Sequence, residues 1–121
     1  MTLIFIALGG AVGSVLRYLS TLAATRLLGA AFPFGTLFVN VVGAFAMGIA
    51  FHLLIQRGQL PIAPAVTTGL LGGFTTFSAF SLDAILLFEA GRTLAAGAYI
   101  VASVALSLIA LALGLLLARS L

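Results

Sequence analysis

Long apolar runs fill nearly the whole chain, and the informative positions are the few at which they stop. The first run extends from about Leu3 to Leu28 and ends at Gly29 and the Phe32-Pro33 turn. A second runs from about Gly35 to Ile55 and is closed by Gln56-Arg57-Gly58-Gln59. A third begins at Pro61 or Pro64, where proline suits a first helical turn, and reaches about Ala90. Gly91-Arg92 separates it from a fourth, from about Leu94 to Ala118. Crossing a hydrocarbon core of about 30 Å takes roughly 20 apolar residues, and each run is long enough. The pattern predicts an all-α integral membrane protein, a single four-span domain over residues 1–121. Connections of a few residues force neighbouring spans to run antiparallel, which places both termini on one side.

Composition agrees. Of the 121 residues, 64% are hydrophobic and 6% charged, with a mean hydropathy of +1.39; a soluble domain of this size needs far more polar surface to cover its core. The net charge of +3 comes from five scattered arginines set against one Asp and one Glu. They form no basic stripe, so nucleic acid is not an expected partner. With no cysteine there is neither a disulfide nor a thiolate metal site. Met1 to Gly10 lacks the basic n-region of a signal peptide, and its apolar run outlasts an ordinary h-region, so it is read as the first span.

The third run is unlike the others. Its middle reads Gly69-Leu70-Leu71-Gly72-Gly73-Phe74-Thr75-Thr76-Phe77-Ser78-Ala79-Phe80-Ser81, and two glycines followed by two threonines are poor for a continuous helix. Two readings stand. In one, the helix breaks near the bilayer centre and frees backbone groups, which membrane proteins tolerate only where the backbone is buried in protein or lines a cavity, and which they use to build ion sites. In the other, the helix is unbroken and its small residues form a packing face.

Arg57 and Arg119 fall on one side of the membrane and Arg26 and Arg92 on the other. The positive-inside rule thus ends in a tie. A chain without orientation bias inserts both ways, and two opposed copies then pair about an axis in the membrane plane; the alternative is that the first span sets a single orientation.

Several polar or aromatic positions carry candidate chemistry. The small residues Gly9 to Gly13 and Gly43 to Gly48 let helices approach closely. Arg17, costly in hydrocarbon, either snorkels toward the end of its span or faces a water-filled vestibule and attracts anions. Asn40 lies deep in the second span with Thr36 one turn before it on the same face; it serves as glue between helices or offers its amide NH₂ to an anion. Tyr99, Ser103 and Ser107 recur every four residues as one hydroxyl stripe, although a single serine commonly bonds back to its own helix. Phe77 and Phe80 are packing groups, or rings whose positively polarised edges face an anion. His52 and Glu89 sit near span ends, and Asp83, one turn beyond Phe80, is a candidate for a vestibule. No His, Asp or Glu cluster has metal-ligand spacing and no nucleophile has a nearby base, so an enzyme is not expected.

Together these segments resemble the Fluc/CrcB fluoride channels. The matching stretches are Gly9-Gly10 to Gly13 with Arg17-Tyr18, Pro33-Phe34-Gly35-Thr36-Leu37-Phe38-Val39-Asn40-Val41-Val42-Gly43, and Thr68-Gly69 through Ser81, in the family's order over essentially the whole chain. The resemblance implies a dual-topology antiparallel homodimer in the bacterial inner membrane, with two pores that export toxic fluoride passively. By that likeness Asn40, Ser78, Phe77, Phe80 and Thr36 belong to the pores, and Tyr99, Ser103 and Ser107 to a polar track. The backbone carbonyls of Gly72 and Thr75 from both copies are expected to hold a structural Na⁺ at the dimer axis, and Arg17 to lie by an aqueous vestibule. Two positions depart from the family pattern: Ala79 stands where many members have Thr, and Asp83 where a glutamate is common.

Fluoride is small, strongly hydrated and an excellent hydrogen-bond acceptor. A selective pore replaces its water with short donors yet binds weakly enough to release the ion, and a hard cation on carbonyl oxygens adds fixed positive charge nearby. Two rival classes share the four-span pattern. A small multidrug antiporter normally needs a carboxylate embedded in the membrane, often in the first span, where this chain has only Arg17. A non-transporting assembly subunit would use Asn40 and the glycines for packing alone.

Overall fold

The computed structural model describes all 121 residues, and every regular element is helical. Helix α1 spans Thr2–Leu28 and ends at Gly29, whose φ of 84° turns the chain toward Pro33. Helix α2, Phe34–Phe51, continues as one π-helical stretch, His52–Gln56. The third span opens as a π-helix, Ala65–Leu71, tightens into the single turn α3, Gly72–Phe74, and resumes as α4, Phe77–Glu89. Gly91, at φ 79°, carries the turn into α5, Thr93–Arg119.

The four candidate spans contain 27, 23, 25 and 27 residues. At 1.5 Å per residue the longest reach about 40 Å, enough to cross a hydrocarbon core of about 30 Å with some tilt. Only 18 of the 121 residues are buried, while Leu3, Leu94 and Leu108 are among many large apolar side chains pointing outward. That distribution belongs to a chain whose solvent is hydrocarbon, where backbone groups are satisfied inside each helix and the exterior is as apolar as the interior.

Glycines set the helix contacts, because van der Waals packing must draw helices together where lipid is as apolar as leucine. The first and third spans run parallel at backbone contact: a β-carbon at Gly13 would lie 2.1 Å from the Leu70 carbonyl, and one at Gly9 2.4 Å from that of Ala65. The second and fourth spans meet reciprocally. A β-carbon at Gly48 would lie 2.3 Å from the Leu111 carbonyl, and one at Gly114 2.2 Å from that of Phe45.

Between α3 and α4 two residues leave the helical region. Thr75 (φ −87°, ψ 159°) and Thr76 (φ −154°, ψ 121°) are extended. Thr75 still returns to the preceding turn, its amide and hydroxyl both donating to the Leu71 carbonyl at 3.0 and 2.9 Å. Thr76 starts the next helix, its hydroxyl oxygen accepting the Ala79 amide at 3.1 Å as an N-cap.

Candidate functional site

The extended pair has a dedicated partner on the second span. The Asn40 amide NH₂ donates to the Thr76 carbonyl at 2.9 Å, and its carbonyl oxygen accepts the Thr76 amide at 2.7 Å. The side-chain amide therefore replaces, with correct polarity at both ends, backbone bonds that the departure from helix removes. On the first span, the Arg17 Nε–H donates to the Gly73 carbonyl at 3.0 Å.

Beside this junction lies a cavity of about 370 Å³ lined by Asn40, Thr75, Thr76, Phe77, Phe80, Ser103 and Ser107, with Met47 and Leu111 among its apolar walls. It contains amide, hydroxyl and aromatic groups and no charged side chain. Ser103 Oγ is buried and makes no hydrogen bond of ordinary geometry, with the Tyr99 hydroxyl as a polar neighbour, an uncommon state for a buried hydroxyl. Phe77 stands 78% exposed at the cavity's edge, its ring centroid 5.4 Å from that of Phe80.

A second cavity, of about 400 Å³, lies toward the α1–α2 and α4–α5 turns, with Thr21, Thr25, Thr36 and Asp83 in its wall and Arg92 as its basic residue. The Arg92 guanidinium donates to the Ala31 carbonyl, tying the two turns together. Asp83 Oδ2 accepts from the Thr36 hydroxyl at 2.7 Å and the Tyr99 hydroxyl at 3.1 Å. Both are charge-assisted bonds that hold the carboxylate in place.

An aromatic ladder links the two cavities. From Phe77 it passes to Phe80, then Tyr99 at 5.3 Å, Phe32 at 5.5 Å and Phe34 at 4.9 Å. Those spacings are typical of tilted and edge-to-face pairs. Tyr99 is wholly buried at its centre.

Of the residues singled out in the sequence, Asn40, Phe77, Phe80, Ser103 and Ser107 line one cavity together. Thr36 lines the other, and Tyr99 sits between them on the ladder. Ser78 lies outside both linings, its hydroxyl 3.3 Å from that of Thr76, and Arg17 reaches the extended junction through Gly73. One residue stands out that sequence reasoning left aside, and a second gains a role that the sequence did not give it. Thr76 is the hinge of the junction, signalled by a hydroxyl residue just ahead of a helical run. Asp83, a vestibule candidate in the sequence, is the shared acceptor for Thr36 and Tyr99, a role no local pattern announces because its donors lie 47 and 16 residues away.

Four apolar helices of membrane length, three of which line an uncharged polar cavity, define a small multi-pass membrane protein. The family described as CrcB-like protein, Camphor Resistance (CrcB), matches residues 4–115, and the chain belongs to that family. It is similar to proteins named fluoride-specific ion channel FluC. The relative from Rhizobium etli is 55% identical over 118 residues, covering 96% of this chain and 94% of its own. That from Rhizobium johnstonii is 53% identical over 120 residues, covering 98% and 96%. A relative from Cereibacter sphaeroides is 51% identical over 118 residues, covering 98% and 94%.

Proposed function

We propose that this chain is a fluoride-selective channel of the bacterial inner membrane that lets toxic fluoride leave the cell passively. The observation that carries the reading is the cavity at the helix break, where neutral donors and ring edges converge without a fixed charge. An amide N–H and hydroxyls donate short hydrogen bonds to a small anion, and the absence of a buried cation in the lining keeps that anion from being trapped. Ser103 Oγ, buried without a partner, is a donor held ready for a passing ion. The names of the relatives point to the same substrate.

The functional unit is a dual-topology antiparallel homodimer with two pores. The balanced arginines support insertion both ways, and the outward placement of Phe77 beside the exposed Gly72 supports pairing across the break. A second copy would then complete each polar cavity with its own aromatic edge.

A structural Na⁺ suits the junction. The Thr76 amide, the usual helical donor to the Gly72 carbonyl, is taken by Asn40, and the Ala79 amide, the usual donor to Thr75, is taken by the Thr76 hydroxyl. Both carbonyls are thereby left for a hard cation. No three His, Cys, Asp or Glu side chains are grouped to hold a metal, so backbone oxygen is the ligand type on offer. Bound there, Na⁺ would supply fixed positive charge beside the anion path, while Gly72 and Thr75 of each copy would hold it.

The test is fluoride efflux from liposomes holding the purified protein, with chloride as control and voltage clamped by an ionophore. Rapid fluoride loss with chloride retained is the expected result. A verified dimer that passes no fluoride would overturn the reading, and cation export abolished by Asp83→Asn would replace it with an antiporter.

A further inference from the structure

Arg17 is the one charged side chain of α1 away from its ends, and its half-buried guanidinium spends its Nε–H on the Gly73 carbonyl. Packing brings the two together. Gly10, Gly13 and Arg17 share a helix face at i, i+3, i+7 spacing, and that face lies against the break: a β-carbon at Gly73 would meet the Gly10 carbonyl at 2.7 Å, and one at Gly13 the Phe74 amide at 2.9 Å.

The bond has a consequence for the junction. The extended Thr75 and Thr76 carry the amides of residues 76–79 away from the carbonyls of residues 72–75, which lose their helical donors. Arg17 occupies one of these orphans, Gly73, while Asn40 holds the Thr76 backbone from the second span. The break is thus clamped from two different spans. With Gly73 engaged, the carbonyls of Gly72, Phe74 and Thr75 remain without a donor, and the first and last of them are the pair assigned above to the cation.

We propose that Arg17 is a positioning residue: by donating its Nε–H to Gly73 it fixes the helix break in the conformation that presents the Gly72 and Thr75 carbonyls to the cation and Phe77 to the fluoride path. This rests on the channel reading above, but it assigns Arg17 a different task from attracting anions in a vestibule. An attractor acts through its charge. A clamp acts through a correctly placed N–H.

The two tasks separate by substitution. Arg17→Gln puts an amide N–H donor at the same number of bonds from Cα as Nε but carries no charge. Arg17→Met keeps comparable length without donor or charge, and Arg17→Lys keeps the charge. Amide hydrogen exchange over residues 72–80 of the reconstituted protein, the rise in melting temperature on adding Na⁺, and fluoride efflux are measured for each. In Arg17→Met, exchange over the break should accelerate about tenfold, the scale set by losing one hydrogen bond to a buried carbonyl. Its Na⁺-dependent melting shift should vanish and its efflux fall, while Arg17→Gln restores all three toward wild type. The proposal is overturned if Gln and Met behave alike, or if Lys sustains efflux while Gln does not. Should Arg17→Met fail to fold, the Gln and Lys pair decides by the same criterion. Exchange needs no conduction, so a wild type without fluoride flux whose break still loosens in Arg17→Met sinks the channel reading and leaves the clamp intact.

Discussion

Asn40 grips Thr76 by both of its backbone polar groups, donating to the carbonyl at 2.9 Å and accepting from the amide at 2.7 Å. A side chain 36 positions earlier in the chain thus performs the work of missing helix hydrogen bonds. The two candidate roles of Asn40, glue and anion donor, are compatible here: an amide NH₂ has two hydrogens, and Asn40 also lines the polar cavity.

Replacing Asn40 with Asp turns the NH₂ donor into an acceptor facing the Thr76 carbonyl. The lost bond and the like-polarity contact should destabilise the fold by about 2 kcal/mol or more, measured as a lower melting temperature in detergent. Fluoride efflux should be crippled as well, because a carboxylate repels the ion. Undiminished efflux in this variant would remove Asn40 from the path.

Ser103 offers a case in which stability and function should part. Its buried hydroxyl has no partner, so Ser103→Ala relieves a desolvated polar group and should leave the melting temperature unchanged or raised. Efflux should nonetheless fall, by about tenfold if the hydroxyl gives the ion one ordinary hydrogen bond of roughly 1.4 kcal/mol. Unaltered flux would make the serine a packing residue.

The Thr36–Asp83–Tyr99 cluster shares one carboxylate oxygen. Thr36→Val and Tyr99→Phe should each cost about 1–3 kcal/mol, as expected for bonds to a charged acceptor. The double variant should depart from additivity, since the second loss leaves a carboxylate with no hydroxyl donor. Additive melting shifts would mean the two bonds act independently.

Backbone contact between the first and third spans makes Gly13 intolerant of side chains. Gly13→Ala would drive a methyl to 2.1 Å from the Leu70 carbonyl, an overpacking worth about 1–3 kcal/mol or more, and should lower the yield of folded protein. Gly58→Ala, in a loop with nothing within 4 Å, is the matched control and should be silent.

Much of this was legible in the chain itself. Apolar run length sets the spans because hydrocarbon leaves no other place for such segments. Pro33 and Gly91 mark turns, with helices beginning at Phe34 and Thr93 just after them. Gly72-Gly73 and Thr75-Thr76 locate the stretch where helical hydrogen bonding is weakest, since glycine adds entropy and threonine prefers to cap.

Pairing across the bundle was decided only by tertiary structure. Spacing along one helix puts Thr36 and Asn40 on a common face, yet they end in different environments, Thr36 on Asp83 and Asn40 on Thr76. The four-residue stripe of Tyr99, Ser103 and Ser107 likewise divides, with Tyr99 buried among aromatic rings and both serines facing the cavity. A helix period specifies which way a side chain points. What it meets there depends on how closely the glycines let the next helix approach, and that distance is a property of the folded bundle.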